Sequence, residues 1–145
     1  MIGQRQDVLV VDALRRENNF NFAVKGLVRV GMVDAYNPES GTLKETYQIR
    51  TKRFVKVDEA RAFFIQIFDE YLDHMNADKN LAKLVKGYPF SSKNTEIQIT
   101  ILDEHGGPAG APQIARIRNN DNSFIAYSYD KNDQRFIEIA QEPLY

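Results

Sequence analysis

Hydrophobic residues between Asp58 and Asn76 recur at spacings of three and four positions, which is typical of an amphipathic helix. The apolar positions of this stripe are Ala60, Phe64, Ile67, Phe68, Tyr71, Leu72 and Met75. Such a stripe must be buried against another element, and the flanking segments alternate like strands. The pattern therefore predicts one main helix over about residues 58–76, packed on a sheet. Asp58 is expected to be the N-cap residue of this helix.

A short following helix is predicted after a break near Asn76, because apolar residues resume the helical spacing at Leu81, Leu84 and Val85. Gly87 can adopt the left-handed conformation that ends a helix, and Pro89 prevents the helix from resuming.

The chain before the main helix alternates between apolar and polar residues with a period of two, which is typical of strands with one solvated face. This alternation runs from Asn21 to Tyr36 and continues from Leu43 to Lys52. The intervening residues 37–41 are turn formers. We therefore predict a long N-terminal hairpin, preceded by an N-terminal arm over residues 1–20.

The last third of the chain is predicted to form an antiparallel meander. Alternating isoleucines mark a strand ending at Ile101, and further strands are predicted over residues 113–118, 123–130 and 135–140. Polar turns at 119–122 and 131–134 separate the last three. The prediction is thus a single α+β domain over residues 1–145, whose antiparallel sheet combines the hairpin and the meander and packs on the helix. Repeated βαβ patterns are absent, which argues against dinucleotide-binding and barrel architectures.

Composition narrows the functional classes. The 145 residues include 19 lysines and arginines against 20 aspartates and glutamates, a net charge of −1, which argues against DNA or RNA as the main partner. No apolar run approaches the ~18 residues of a membrane span. The chain contains no cysteine, which excludes disulfides, thiolate nucleophiles and cysteine-bound metals. Without a signal-peptide pattern the default expectation is a cytoplasmic location, with an extracytoplasmic one open if a targeting segment has been removed.

The loop at residues 103–112 is the first candidate for chemistry. It contains His105 beside Asp103 and Glu104, and acid–base groups are often carried on loops of this kind. A small hydrolase-like enzyme using His105 and carboxylates is therefore one hypothesis. Nucleophile motifs are missing, however, and the glycines and prolines of the loop also suit a simple connection between strands. We assign no catalytic residue, metal or cofactor from the sequence.

A second candidate is the basic cluster formed by Arg50, Lys52 and Arg53 on the predicted hairpin. Such a cluster could follow a phosphate backbone, which gives nucleic-acid binding as a weaker hypothesis. The competing interpretation is that these cations keep the solvated face of the hairpin from pairing with other edges. The near-neutral net charge favours the second interpretation.

Aromatic residues beyond the needs of a core suggest a recognition surface. Tyr127 and Tyr129 have the opposite parity to Phe124 and Ala126, so they are expected on the exposed face of the sheet. The sequence as a whole favours a non-catalytic binding or protein-interaction domain. A protein partner or self-association is the predicted mode, and a small-molecule ligand stays open.

Overall fold

The computed structural model describes residues 27–29, 35–37, 39–50, 53–77, 79, 83 and 88–145. In chain order the elements are β1 (Leu27–Arg29), β2 (Ala35–Asn37), β3 (Thr42–Ile49), α1 (Val57–Ala77), β4 (Thr95–Ile101), β5 (Ile114–Asn120), β6 (Ser123–Asp130) and β7 (Arg135–Pro143). All these strands belong to one sheet, in which β1 and β2 both pair with β3 and the order continues β4-β5-β6-β7. The predicted α+β class is confirmed, with a mostly antiparallel sheet packed against the helix.

The β3–β4 pair corrects the prediction of a fully antiparallel sheet. These two strands are parallel, in register from Leu43 opposite Thr95 to Ile49 opposite Ile101. Every other strand pair that the structure describes is antiparallel. Helix α1 connects β3 to β4, and a crossover of this kind is what parallel neighbours require. Hydrophobic alternation identifies strands but carries no information on their relative direction.

The long N-terminal hairpin is not confirmed as a continuous pair of strands. β1 and β2 each have three residues and pair with opposite ends of β3. The predicted turn after β2 is present: the Asn37 side-chain oxygen accepts hydrogen bonds from the backbone N–H groups of Glu39 and Ser40. Gly41 completes it with a positive φ of 73°. The N-terminal arm and residues 81–82 and 84–87, which include most of the predicted second helix, lie outside the described residues.

The hydrophobic core lies between α1 and one face of the sheet. The helix buries the predicted stripe, with Leu72 only partly buried. Phe64 lies at the centre of this core. The Phe64 ring stacks on Phe68 at a centroid distance of 5.6 Å and makes an edge contact with Phe124 at the same distance. Phe63 and Ile65, which lie beside the stripe, are partly buried and also pack against the core. The sheet contributes a complementary layer of Leu43, Ile49, Ile97, Ile99, Ile101 and Ile117.

Helix α1 begins one residue earlier than predicted. The backbone N–H of Ala60 donates to the carbonyl of Lys56, so Lys56 occupies the N-cap position. Asp58 is therefore not the N-cap residue but lies with Glu59 in the first turn. Both carboxylates still face the positive end of the helix dipole, which is a stabilising placement.

Asn119 was predicted in a turn and instead lies inside β5, fully buried. Backbone pairing between β4 and β5 spans only three residue pairs, from Gln98–Arg118 to Thr100–Arg116. Beyond them the Asn119 amide bridges the two strands: it accepts from the N–H of Ile97 at 2.8 Å and donates to the carbonyl of Thr95 at 2.8 Å. The polar run at 119–122 resembles a turn in sequence, but only its last residues form one.

Two irregularities in register flank β6. One lies between Ile114 and Arg116 on β5, and the other shifts the pairing of β6 with β7 after Ala126. Because each shift changes which residues face each other, Tyr127 lies opposite Arg116, and Tyr129 lies opposite Phe136.

Candidate functional site

The face of the sheet opposite α1 carries a group of partly exposed arginines and aromatic residues, which we call the arginine–aromatic cluster. Its members are Arg116 and Arg118 of β5, Tyr127 and Tyr129 of β6, and Phe136 of β7. Their placement follows from strand alternation, since the adjacent residues Ile117 and Ala126 belong to the core on the other face. Three neighbouring strands thus contribute to one surface.

Arg116 is held flat against an aromatic ring. Its guanidinium carbon lies 3.6 Å from the centroid of the Phe136 ring, and its Nε donates to the Thr100 hydroxyl at 3.4 Å. Phe136 in turn contacts Tyr129, with centroids 4.9 Å apart. A guanidinium over a ring face gains cation–π attraction, so this arrangement fixes the arginine without a carboxylate.

Arg118 is positioned by the neighbouring tyrosine. Its Nε donates to the Tyr127 hydroxyl at 2.8 Å, and its guanidinium lies 5.9 Å from the centre of the same ring. The hydroxyl of Tyr127 therefore orients the second arginine of the cluster, while the remaining guanidinium N–H groups keep their donor capacity.

Burial lowers the pKa of Arg116 from its ordinary value, and the neighbouring positive charge of Arg118 acts in the same direction, while Tyr127 opposes it. Among the described residues, neither arginine forms an ion pair with a carboxylate. Two adjacent cations, one of them partly desolvated, would gain from an anionic group placed between them.

The loop at residues 103–112, which the sequence indicates as a candidate site for chemistry, is instead a turn stabilised by the hydrogen bonds of Asp103. The Asp103 carboxylate accepts from the backbone N–H groups of His105 at 2.8 Å and Gly107 at 3.1 Å, and its other oxygen lies 2.9 Å from the Lys131 ammonium. The Lys131 hydrogen bond is the largest cause that lowers the pKa of Asp103 to about 2, with the two backbone donors adding to it. Gly106 has a positive φ of 87° within this turn. Asp103 thus holds the loop together.

The structure brings one of the basic candidates to this loop. A Cβ added at Gly106 would lie 3.3 Å from an Arg50 guanidinium nitrogen, so Arg50 packs over the loop. This follows from the parallel β3–β4 pair, because both Arg50 and Asp103 come after the carboxyl ends of these strands. His105 is 82% exposed and lies 3.6 Å from the Glu104 carboxylate, which is 74% exposed. Within the described residues, this pair of side chains is largely open to solvent.

The remaining candidates separate into different regions. Arg53 is exposed in the segment before α1, and Lys52 lies outside the described residues. Tyr127 and Tyr129 belong to the arginine–aromatic cluster. Sequence reasoning missed Arg116, Arg118 and Phe136. The sequence does show two arginines at alternate positions of a predicted strand, which indicates that both lie on one face. The aromatic residues beside them can be identified only when the register of all three strands is known.

Comparison with known protein families, with curated proteins and with solved structures finds no match to this chain. The fold and the surface therefore define its class, an α+β domain with a helix on one sheet face and an arginine–aromatic cluster on the other. No group of three or more histidine, aspartate or glutamate side chains in the described ranges could hold a metal ion. Within the same ranges, no helix is both long and apolar enough to cross a membrane.

Proposed function

We propose that this chain is a non-catalytic protein-binding domain and that its partner binds to the arginine–aromatic cluster. The observation that carries the proposal is Arg116, a partly buried cation that stacks on Phe136 without an ion pair to any described carboxylate. Arginine and tyrosine are among the residues enriched at the energetic centres of protein interfaces. Rigid side chains of this kind lose little entropy on binding, because their contacts within the cluster already orient them.

A shallow depression beside Arg118 extends the same surface. It has a volume of about 280 Å³, and its lining includes Lys44, Thr46, Glu96 and Gln98 of the neighbouring strands. Lys44 and Glu96 form an exposed ion pair across this depression at 3.6 Å. The surface therefore presents cations and polar groups around the aromatic rings, which suits a partner segment that carries carboxylates among apolar side chains.

A protein partner is better supported than a nucleic acid. Arginines beside aromatic rings also bind single-stranded nucleic acids, but such proteins add a cationic groove that follows the backbone. Here the net charge is −1, and Glu96 and Glu138 lie on the strands that carry the surface. A phosphate backbone crossing the sheet would meet these carboxylates.

The hydrolase-like alternative has less support from the loop at residues 103–112. Asp103 already accepts three hydrogen bonds, and with its low pKa it is a weak base. His105 and Glu104 point into solvent rather than into a cleft that could hold a substrate.

The proposal can be tested with an immobilised chain exposed to a lysate of the source organism, followed by quantitative mass spectrometry. Arg116→Glu reverses the charge at the centre of the cluster, and Lys93→Glu is the matched control because Lys93 is exposed in the turn before β4. Proteins captured by the wild type should be lost with Arg116→Glu and retained with Lys93→Glu. With a purified partner, Arg116→Glu should weaken binding roughly tenfold or more.

Tyr127→Phe gives a milder test, since it removes only the hydroxyl that accepts from Arg118. Thermal unfolding of each variant checks that the fold is retained. Equal capture by the wild type and Arg116→Glu would refute the proposal. So would capture that nuclease treatment abolishes, which would favour a nucleic acid.

A further inference from the structure

The two arginines of the arginine–aromatic cluster are suited to one particular kind of anion. We propose that this anion is a phosphate monoester, on a phosphorylated side chain of the partner protein, and that it binds between Arg116 and Arg118. This inference rests on the proposed function, because it concerns the same surface. It adds the chemical group by which the partner is recognised.

Arg116 and Arg118 are neighbours on one face of β5. They are two positions apart, which places their Cα atoms roughly 6.6 Å from each other. Arg118 reaches the hydroxyl of Tyr127, which lies opposite Arg116. Arg116 in turn reaches the ring of Phe136, which lies opposite Tyr129. Both side chains therefore lean in the same direction along the sheet. Burial lowers the pKa of Arg116, and the nearby positive charge of Arg118 lowers it further.

The free donors of the two arginines match the oxygens of a phosphate group. In the described hydrogen bonds each arginine uses its Nε alone, towards the hydroxyl of Thr100 or of Tyr127. The terminal nitrogens of both guanidinium groups keep their donor capacity. Stacking on Phe136 covers a face of the Arg116 guanidinium, whereas its N–H groups point along the guanidinium plane. A phosphate monoester has three acceptor oxygens, so it can accept from both guanidinium groups at once.

The charge of the arginine pair favours a dianion. Among the described residues, neither Arg116 nor Arg118 forms an ion pair with a carboxylate. A phosphate monoester carries a charge of about −1.5 to −2 at neutral pH, whereas a carboxylate carries a single negative charge. The additional charge increases the attraction to two cations, one of which is partly desolvated. A phosphate monoester should therefore bind more tightly than a carboxylate in the same position.

Carboxylates on both sides limit this region to one anionic group. Glu96 of β4 lines the depression that also contains Arg118, and Glu138 of β7 lies opposite Tyr127. A polyanionic chain or an anionic lipid surface would bring further phosphates against these carboxylates. A protein segment with one phosphorylated side chain brings a single phosphate to the two arginines. The charge pattern therefore favours a phosphorylated protein as the partner.

Phenyl phosphate is the probe for the first test, because it carries a phosphate monoester. Phenyl sulfate is the matched probe, since it has a similar shape but a single negative charge. In an NMR titration of the isotope-labelled whole chain, phenyl phosphate should shift the signals of the cluster residues on β5 and β6. Its affinity should be roughly tenfold higher than that of phenyl sulfate. Equal affinities, or the absence of phenyl phosphate binding at the cluster, would overturn the proposal.

Two variants test whether both arginines hold the phosphate. Arg118→Gln removes one cation and keeps the stack of Arg116 on Phe136, and Arg116→Gln removes the other. Each should weaken phenyl phosphate binding roughly tenfold, and thermal unfolding checks that each variant folds. Arg53→Gln is the matched control, because Arg53 is an exposed arginine in the segment before α1. It should leave the affinity unchanged. An equal loss with Arg53→Gln, or no loss with either cluster variant, would contradict the proposal.

Phosphatase treatment separates this inference from the proposed function. A lysate of the source organism is divided, and one half is dephosphorylated before capture on the immobilised wild-type chain. Proteins that are captured through Arg116, as judged by their loss with Arg116→Glu, should be absent from the dephosphorylated half. If phosphatase leaves this capture unchanged, the phosphate inference fails while the protein-binding function stands. If Arg116→Glu leaves capture unchanged, both fail.

Discussion

The side chain of Asn119 takes over the hydrogen bonding between β4 and β5 where their backbone pairing ends. It is fully buried, and its amide satisfies the Ile97 N–H and the carbonyls of Thr95 and Asp121. An apolar side chain of similar size would leave these backbone groups without partners inside the protein. Their desolvation is costly because water cannot reach them to replace the lost bonds.

We expect Asn119→Ala to lower the free energy of unfolding by roughly 2–4 kcal/mol, since two or more buried backbone groups lose their partners. The neighbouring Asn120→Ala is the control, because Asn120 is exposed at the end of β5. Its effect should stay within about 0.5 kcal/mol. Urea denaturation of the three proteins measures both values. Equal effects of the two substitutions would contradict the bridging role of Asn119.

Asp103 should make stability depend on pH in the acid range. Its folded-state pKa is about 2, below the ordinary value of 3.8, because Lys131 and two backbone N–H groups stabilise the carboxylate. A depressed carboxyl pKa stabilises the fold above the ordinary pKa, and this contribution is lost as the pH falls from 3.8 towards 2.

Asp103→Asn should therefore flatten the dependence of unfolding free energy on pH between about 4 and 2. Asp133→Asn is a suitable control, since Asp133 lies in an exposed turn and is 4.0 Å from Arg135. The measurement is urea denaturation at a series of pH values. If wild type and Asp103→Asn retain the same slope through this window, the Lys131 contact does not hold the carboxylate in solution.

The sequence predicted a residue's position correctly where the alternation of apolar and polar residues determines which face of the sheet it occupies. It failed where a side-chain hydrogen bond to another strand determines the position. Tyr127 and Tyr129 could be placed away from Phe124 because parity along one strand determines the face. Asn119 could not be placed, because asparagine is common in turns and its bridging role depends on a neighbouring strand. Asp103 was selected for chemistry, yet one of its oxygens accepts from the backbone of its own loop and the other from Lys131.

At the scale of elements, α1 was the most predictable part of the fold. Its stripe of apolar side chains needs only the helical period to be recognised, and the observed helix agrees with the prediction within one residue at each end. The direction of β4 relative to β3 could not be predicted in the same way. It depends on the crossover through α1, which is a property of three elements together.

The packing of α1 gives a direct test of which face carries the core. Phe64→Ala should lower the free energy of unfolding by about 3–5 kcal/mol, because the ring is fully buried between Phe68 and Phe124. Phe63→Ala should cost about half of that or less, since Phe63 is only partly buried, against Phe54. Chemical denaturation of the two variants provides the comparison. A larger loss for Phe63→Ala would mean that the helix is rotated about its axis.

At the scale of the whole molecule, the strands of the sheet differ in how well neighbouring elements protect them against local opening. β4 and β5 each have a paired strand on both sides, and α1 packs against β5, whereas β7 pairs on one side only. Local opening is easiest where few buried contacts and exposed backbone hydrogen bonds occur together. The sheet should therefore be most stable near its middle and less stable towards strands such as β7 that pair on one side only.

Hydrogen exchange followed by mass spectrometry should show this gradient. The amides of β4 and β5 should exchange more slowly than the outward amides of β7, because the latter meet no other described strand. Uniform protection of all strands would contradict this gradient.

The arginine–aromatic cluster shows why a surface spread over several strands escapes sequence analysis. Arg116 and Phe136 are twenty positions apart in the chain, and they meet because the register of β5 with β6 and of β6 with β7 shifts on either side of Tyr127. Alternation gives the face of each residue but not its neighbours across the sheet. The loop at residues 103–112, by contrast, drew attention through its composition alone.

The stack of Arg116 on Phe136 also offers a site for a fluorescent probe. The chain contains no tryptophan, so Phe136→Trp would create a single indole whose emission can be excited apart from the seven tyrosines. That fluorophore would lie directly beneath a guanidinium, where indole binds a cation more strongly than phenyl does. A molecule that draws Arg116 away from the ring would change the colour and intensity of the emitted light, and the surface would then report its own occupancy.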